Sequence, residues 1–288
     1  MTLKQRLQKN QVLIAPGIAD TITAVIAEAL GFEAVFLSGS AMAYTHLGRP
    51  DIGLLTLSEV ASITARVAER VDVPIFVDAD SGSGNAFNVF RAVRQLEVAG
   101  ASCIQIEDQV HDKHPKIVTQ RPVISIADMQ AKLCAALDSR RDENLLISAR
   151  SDAVFTEGVE SAIERAVAYA DTGVDLVFVE GLSKREDRLT LRNAVPEQCA
   201  LLFNVALPNG ADAPDVATLQ TEGYSVALFP ASIINATTQA AHEALENLRQ
   251  SAGLPETSGR NQPANVAEAI GAKPFIERYQ HWSKNHDE

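Results

Sequence analysis

Eight short apolar runs separated by helix-spaced segments, in a chain of 288 residues, predict an α/β fold: a closed (β/α)8 barrel of the TIM type with an extra C-terminal helical segment. Two further observations support closure. Four of the intervening segments end in a glycine within about three residues of the next run (Leu30-Gly31, Ala99-Gly100, Thr172-Gly173 and Glu222-Gly223), as a short turn from helix to strand requires. The longer connections (Ser40 to Leu57, Gln109 to Ile124, Thr156 to Gly158, Pro208 to Pro214) follow the runs instead. Chain length is thus gathered at the strand C-termini, where parallel α/β folds keep their chemistry.

Taken in order, the runs are Val12 to Ala15, Ala34 to Leu37, Ile75 to Val77, Cys103 to Ile106, Leu145 to Ala149, Leu176 to Val179, Leu201 to Phe203 and Val226 to Phe229. They are nearly continuous in Val, Ile, Leu and Phe, the pattern of parallel strands covered on both faces. Helical spacing lies between them, for example at Ile22, Val25, Ile26, Ala29 and Leu30, or at Val89, Ala92, Val93 and Leu96. Met1 to Arg6 reads as the start of an amphipathic helix without a secretory core. Asp20 is placed to cap the next helix, and Ser125 with Asp128 gives a capping-box pattern before Met129. A long helix from about Ser232 to Ala252 is followed by a linker, Gly253 to Pro263, and by further helix from Val266 to Trp282, interrupted near Gly271 and Pro274. The expected division is a catalytic barrel over 1–252 and a linker with a helical tail over 253–288. Such a tail packs outside the barrel, on a partner subunit or back on its own.

Composition narrows the function. The net charge is -12 with no block of Lys or Arg, which leaves no footprint for nucleic acid or an anionic membrane. No apolar run approaches the roughly 18 residues that span a bilayer, so a soluble, cytoplasmic protein is expected. Cys103, Cys134 and Cys199 are widely spaced in or beside apolar segments and read as buried small side chains rather than a disulfide framework or zinc site.

The stretch Ile75 to Asn85 and its echo, Ile104 to Asp108, are apolar strands running into carboxylates. Asp78 and Asp80, two apart, share a strand face, so their charges converge unless something positive lies between. A hard divalent ion, Mg2+ or Mn2+, is the simplest such partner. The alternative is that one Asp caps the helix after Asn85 and the other pairs with Lys or Arg. If the barrel closes, its mouth collects Ser38-Gly39-Ser40, Asp78, Asp80, Glu107, Asp108, Arg150 with Asp152, Glu180 and Asn204. Asp78, Asp80 and Glu107 make an oxygen-rich metal site, directly or through water. Arg150 has the planar fork that grips a carboxylate, or it neutralises the acids around it. Ser38-Gly39-Ser40 offers backbone N–H groups to an oxyanion, or forms a simple tight turn. Gly82-Ser83-Gly84 lacks the third glycine of a dinucleotide loop and the Lys-Ser/Thr pair of a phosphate loop.

At these residues the sequence resembles the isocitrate lyase and phosphoenolpyruvate mutase superfamily. The resemblance is carried by Pro16-Gly17 with Asp20, Gly31-Phe32, Ser38-Gly39, Gly48-Arg49-Pro50-Asp51, Val77-Asp78-Ala79-Asp80 with Gly82, Gly84-Asn85 and Asn88-Val89, Ala99-Gly100, Ile106-Glu107-Asp108-Gln109, Ala149 to Ala153, and Glu180-Gly181. It implies a barrel in a homotetramer or dimer of dimers whose C-terminal helix crosses to a neighbour. It implies Mg2+ bound chiefly through Asp78, with Asp80 and Glu107 acting largely through water. Asp51 would be a mouth residue near the metal, Ser38-Gly39-Ser40 and Arg150 would hold a 2-oxo carboxylate, and Lys113 would sit on a mobile loop. The implied chemistry is formation of a pyruvate-type enolate as a C–C or P–C bond breaks.

The sequence departs from the family's lyases in two places. Their loop after the fourth strand carries Lys-Lys/Arg-Cys-Gly-His, with Cys as the acid-base residue; here it reads Lys113-His114-Pro115-Lys116-Ile117, leaving His111 or His114 for proton transfer. Their Asn-x-x-Glu after the seventh strand is Asn204-Val205-Ala206-Leu207. The Lys-Thr-Asn loop of the phosphonate branch is also missing. Decarboxylation of an oxaloacetate-like acid needs no thiol, so an Mg2+-dependent carbon–carbon lyase of that kind, acting on a small anionic carboxylate, is the first expectation. The alternatives are a methylisocitrate or alkylmalate lyase, a phosphonopyruvate-processing enzyme, and a carboxylate-binding barrel without turnover.

Overall fold

Eight strands, β1 (Leu13–Ile18), β2 (Val35–Leu37), β3 (Ile75–Asp78), β4 (Cys103–Glu107), β5 (Leu146–Ser151), β6 (Leu176–Val179), β7 (Ala200–Asn204) and β8 (Val226–Phe229), pair in sequence order. Every pairing is parallel, and β8 returns to β1 through the Leu13–Val226 register, closing the barrel. The computed structural model describes residues 1–111, 113, 120–205, 213–251 and 266–284. The α-helices in chain order are α1 (Leu3–Leu7), α2 (Thr21–Ala29), α3 (Gly39–Met42), α4 (Leu57–Ala68), α5 (Ala86–Val98), α6 (Ile126–Ser139), α7 (Val159–Ala170), α8 (Arg185–Ala194), α9 (Val216–Thr221), α10 (Ser232–Ser251), α11 (Val266–Ala269) and α12 (Ala272–Lys284).

Strand side chains alternate between inside and outside, and this builds two cores. Leu13, Phe36, Phe76, Leu146, Phe178 and Leu228 pack inside the barrel, and Leu3 of α1 joins them from the N-terminal end. Outside, Val77, Ile104, Ile147 and Val177 meet Val89, Val93 and Leu96 of α5, Met129 and Leu133 of α6, and Tyr169 of α7. Burying each such side chain contributes roughly 1.5–3 kcal/mol. These two apolar layers, rather than the polar mouth, stabilise the barrel.

The expected helix-to-strand turns are present: Gly31, Gly100, Gly173 and Gly223, just past α2, α5, α7 and α9, have φ of 86, 97, 90 and 80°. Asp20 caps α2 by accepting from Thr23 N–H, and Ser125 caps α6 by accepting from Asp128 N–H. Several boundaries differ from expectation. β1 runs on through Pro16 and Gly17: Pro16 is the last residue in register with β8 and Gly17 the first in register with β2, so the proline sits where pairing passes from one neighbour to the other. The stretch after Ser40 is not loop throughout: α3 continues into a π-helical turn, Ala43–Leu47. The tail breaks at Gly271, whose φ is 66°, and not at Pro274, which lies in the first turn of α12 where no N–H is needed. The predicted linker, 253–263, lies outside the described residues. All three cysteines are free; Cys103 and Cys199 are buried as expected, whereas Cys134 is exposed, on the solvent side of α6.

Of α10, Ile234 packs against the outer core, and the helix lies against β1. Ile233 beside it is half-buried, and the described side chains of the helix beyond Ile234 are exposed. No described helix is long and apolar enough to cross a membrane.

Gly17 is where β1 meets the chain entering α10: a Cβ there would collide with the Pro230 backbone. Gly17→Ala is expected to lower the unfolding free energy by about 1–3 kcal/mol in a urea titration. Unchanged stability would mean that this junction can spread.

Candidate active site

Asp78 ends β3 and Glu107 ends β4, so neighbouring strands lift two carboxylates side by side into the C-terminal mouth. Asp80 lies just past the strand and reaches the same place by a turn. Its φ of 48° is left-handed, unusual for a residue other than glycine. The turn is held by Asp80 N–H donating to Asp78 Oδ1 at 3.1 Å and by the buried Lys132 of α6 donating to the Ser81 carbonyl at 3.0 Å. One oxygen from each of Asp78, Asp80 and Glu107 consequently lies within 4.8 Å of the others. The helix that follows is capped by Asn85, which accepts from Phe87 and Asn88 N–H, so neither aspartate is a cap. The alternative of a basic partner does apply to Asp80: Lys113 Nζ pairs with it and lies 3.0 Å from Asp51 Oδ1 and 3.5 Å from Glu107 Oε1.

Arg150, on β5, stands on the other side of Glu107. Its Nη1 is 3.2 Å from Glu107 Oε2 and 4.0 Å from Asp78 Oδ2, and its Nη2 is 3.8 Å from Glu180 Oε2. Asp152 orients the guanidinium, lying 2.9 Å from Nε and accepting from Nη2 at 2.9 Å, and it also pairs with Arg121. Asn204 donates to Glu180 at 3.0 Å. Ser38 caps α3 rather than closing a tight turn, its Oγ lies 3.1 Å from Ser40 Oγ, and Gly39 N–H points to Asp78 Oδ2 at 3.4 Å. Ser38, Ser40, Asp51, Asp78, Arg150, Glu180 and Asn204 line one cavity of about 430 Å3.

Two sequence expectations are corrected. Asp108 does not face the mouth: being next to Glu107 it points to the opposite side of β4, where it accepts from Ser151 Oγ at 2.7 Å, Tyr169 Oη at 2.8 Å and Asp152 N–H at 2.9 Å. His111 is turned out of the main cavity, with Nδ1 3.0 Å from Ser81 Oγ. His114, Pro115, Ile117 and Leu207 lie outside the described residues. The cavity is also lined by residues that sequence reasoning missed, among them Tyr44, Gln105 and Arg121. Gln105 had a signal, a polar residue on the inward phase of an apolar strand; Tyr44 and Arg121 arrive from long connections and had none.

Burial and mutual repulsion dominate the electrostatics. Burial, with Asp80 adding, pushes the Asp78 carboxyl from 3.8 up to about 6. Burial pushes Glu107 from 4.5 up to about 8 despite Lys113 and Arg150. For Lys113 burial acts downward, but Glu107, Asp80, Asp51 and Asp78 outweigh it and hold the ammonium well above its ordinary range. Both oxygens of Glu107 are buried with no hydrogen-bond partner among the described residues. Oxygen acceptors in excess at this spacing, with no thiol or imidazole among them, suit a hard cation such as Mg2+ or Mn2+.

A closed parallel barrel with converging carboxylates and an arginine at its C-terminal mouth defines a barrel enzyme with a place for a cation. The chain belongs to the phosphoenolpyruvate phosphomutase family, whose profile matches residues 3–249, and so to the PEP mutase/isocitrate lyase superfamily. It is 39% identical over 250 residues to 2-methylisocitrate lyase of Aeropyrum pernix, covering 87% of this chain and 80% of the relative. It is 35% identical over 258 residues to 2,3-dimethylmalate lyase of Eubacterium barkeri, covering 88% and 89%. In fold it matches oxaloacetate acetylhydrolase in complex with 3,3-difluorooxalacetate, with a TM-score of 0.90 at 24% identity over 98% of this chain and 96% of that one. It also matches phosphonopyruvate hydrolase in complex with oxalate and Mg2+, with a TM-score of 0.86 at 25% identity over the full length of both.

The raised carboxyls predict a pH dependence. Metal-free folded protein holds protons on Asp78 and Glu107 that the unfolded chain has released, so the contribution of these two groups to stability is fully present below about pH 4 and is lost as pH rises towards about 8. Chemical denaturation of chelator-treated protein between pH 4 and 9 is expected to show that fall, and added Mg2+ to flatten it. A flat profile without metal would contradict the burial of these charges.

Proposed function

We propose that this chain is a divalent-metal-dependent carbon–carbon lyase acting on a small 2-oxo or 2-hydroxy di- or tricarboxylic acid through a pyruvate-enolate-type intermediate. The observation that carries the reading is the convergence of Asp78, Asp80 and Glu107 beside Arg150 at the edge of one cavity. In this reading Asp78 is the chief holder of Mg2+, or of Mn2+, and Asp80 and Glu107 support it largely through water. When bound, the ion supplies fixed positive charge where the enolate oxygen develops.

The chain's own groups do the rest. Arg150, oriented by Asp152, receives the substrate carboxylate with the Ser38-Gly39-Ser40 segment. Lys113 bridges Asp51, Asp80 and Glu107 and so places an ammonium at the acidic end of the site. Glu180 and Asn204, bonded to each other, line the opposite wall.

For substrate, decarboxylation of an oxaloacetate-like acid is the first reading. The bond to the departing carboxylate breaks, its electron pair moves to the 2-oxo oxygen, and the enolate then takes a proton from solvent. No thiol is needed, which suits a loop with Pro115 where the family's lyases have Cys. A second reading, cleavage of an alkylmalate or 2-methylisocitrate, is favoured by the identities of 35% and 39% to enzymes of those names.

The same proposal includes a homo-oligomer, a tetramer or dimer of dimers, with the division into a barrel over 1–252 and a linker and tail over 253–288. It is supported by the exposed length of α10 and by an apolar groove of about 490 Å3 between α2, β1 and α10, lined by Ile14, Ile18, Ile26, Phe32, Phe229 and Ile233. Phe275, Ile276, Tyr279 and Trp282 of α12 are exposed and supply a matching apolar surface. A cytoplasmic location is supported by the three free thiols.

Assays of oxaloacetate, 2-methylisocitrate, 2,3-dimethylmalate and phosphonopyruvate with Mg2+ should single out one substrate. Asp78→Ala should cut kcat on it by about 10^2 to 10^3 or more without loss of fold. Near wild-type turnover in Asp78→Ala would end the metal assignment. Light scattering of the full chain should give a multiple of 30.9 kDa, and a monomer would remove the oligomer from the proposal.

A further inference from the structure

The cavity floor holds a group that the proposed chemistry has not used. Phe36, Phe178 and Leu228 line the cavity from the apolar barrel interior, below the ring of charged strand ends. Gln105 stands among them, inward on β4 one step below Glu107, and pairs in register with Asp78 on one side and Ser148 on the other. It is 2% exposed, yet neither Nε2 nor Oε1 has a hydrogen-bond partner among the described residues. Ser148 Oγ, on the next strand at the same level, is buried without one as well. A buried amide left unpaired is destabilising, and the apolar neighbours would pack as well around Leu or Met. Once the carboxylates near it are ionised, as cation binding requires, each is an acceptor, so what the floor adds is a neutral donor.

We propose that Gln105 is a substrate-contact residue: its amide Nε2–H donates from the floor of the cavity to an oxygen of the anionic acid held above it. This rests on the metal-dependent lyase reading of the same cavity and deepens it by naming the group that meets the buried face of the substrate. Because the donor is uncharged, it accepts a carboxylate or 2-oxo oxygen without adding a counter-charge beside Asp78, which stays available to the cation. A hydrocarbon face at that position would leave the amide unpaired, so Gln105 selects for oxygen at the inner end of the ligand.

The test is calorimetric titration of oxalate, an enolate mimic, into full-length protein in the presence of Mg2+. Wild type, Gln105→Met, Gln105→Glu and Asp78→Ala are compared, each also titrated with Mg2+ alone and melted thermally. Gln105→Met keeps the volume and removes the donor. It is expected to weaken oxalate about tenfold, with Mg2+ affinity unchanged and a melting temperature no lower than wild type. Gln105→Glu puts a negative charge against the anion and should weaken oxalate further. Wild-type oxalate affinity in Gln105→Met would overturn the proposal, and so would joint loss of Mg2+ affinity and thermal stability, which is the mark of a purely structural role. Failure of wild type to bind oxalate with Mg2+ would overturn the lyase reading and this proposal together. Loss in Gln105→Met alone, with Asp78→Ala losing Mg2+, supports both.

Discussion

Three carboxylates confined together out of water set the terms for everything around them. Two unit charges 4 Å apart repel by about 4 kcal/mol at an effective dielectric of 20, against a total stability of roughly 5–15 kcal/mol for a typical domain. Asp78, Asp80 and Glu107 crowd to within 4.8 Å, so the fold persists only because something offsets that repulsion. Lys113 on one side and Arg150 on the other do so in part, and protons on Asp78 and Glu107 do so further. A site that holds protons above their ordinary affinity, and leaves both Glu107 oxygens without a hydrogen bond among the described residues, is one in which a divalent ion has strong reason to bind.

That cluster is held by two kinds of support. The apolar floor fixes where the strands end, and with them the Cα positions of Asp78, Glu107 and Arg150. A polar layer outside the strands then aims the side chains. Asp108, pointing away from the mouth, accepts from the Asp152 backbone and from Tyr169 and Ser151, while Asp152 in turn orients Arg150. Lys132 acts similarly on the other flank through the Ser81 carbonyl, keeping the left-handed turn that brings Asp80 back to its partners. The family relationship fits this arrangement: the matched span, residues 3–249, takes in all eight strands and every residue of the acidic cluster.

Much of the architecture was legible in advance because parallel barrels repeat. Eight Val/Ile/Leu/Phe runs, glycine at helix ends and length after strands each reflect a local requirement that residue type states directly. The acidic constellation was legible for the same reason, since a carboxylate ending a buried strand has only the mouth to enter. Asp108 was misplaced because its neighbour Glu107 drew it into the same group, although period 2 sends adjacent residues to opposite faces. Tyr44 lies on a short π-helical turn and Arg121 on the connection after β4, and no spacing rule brings either to the cavity.

By itself the sequence determined the barrel, its catalytic face and the identity of the metal-competent acids, because hydrophobic periodicity and turn chemistry act within a few residues along the chain. Only the tertiary structure decided that Lys113 spans Asp51, Asp80 and Glu107, that Asp80 arrives through a left-handed turn rather than by strand alternation, and that Gln105 lies unpaired on the floor. Those outcomes depend on distances between strands and loops far apart in sequence, which barrel closure sets and no local pattern encodes.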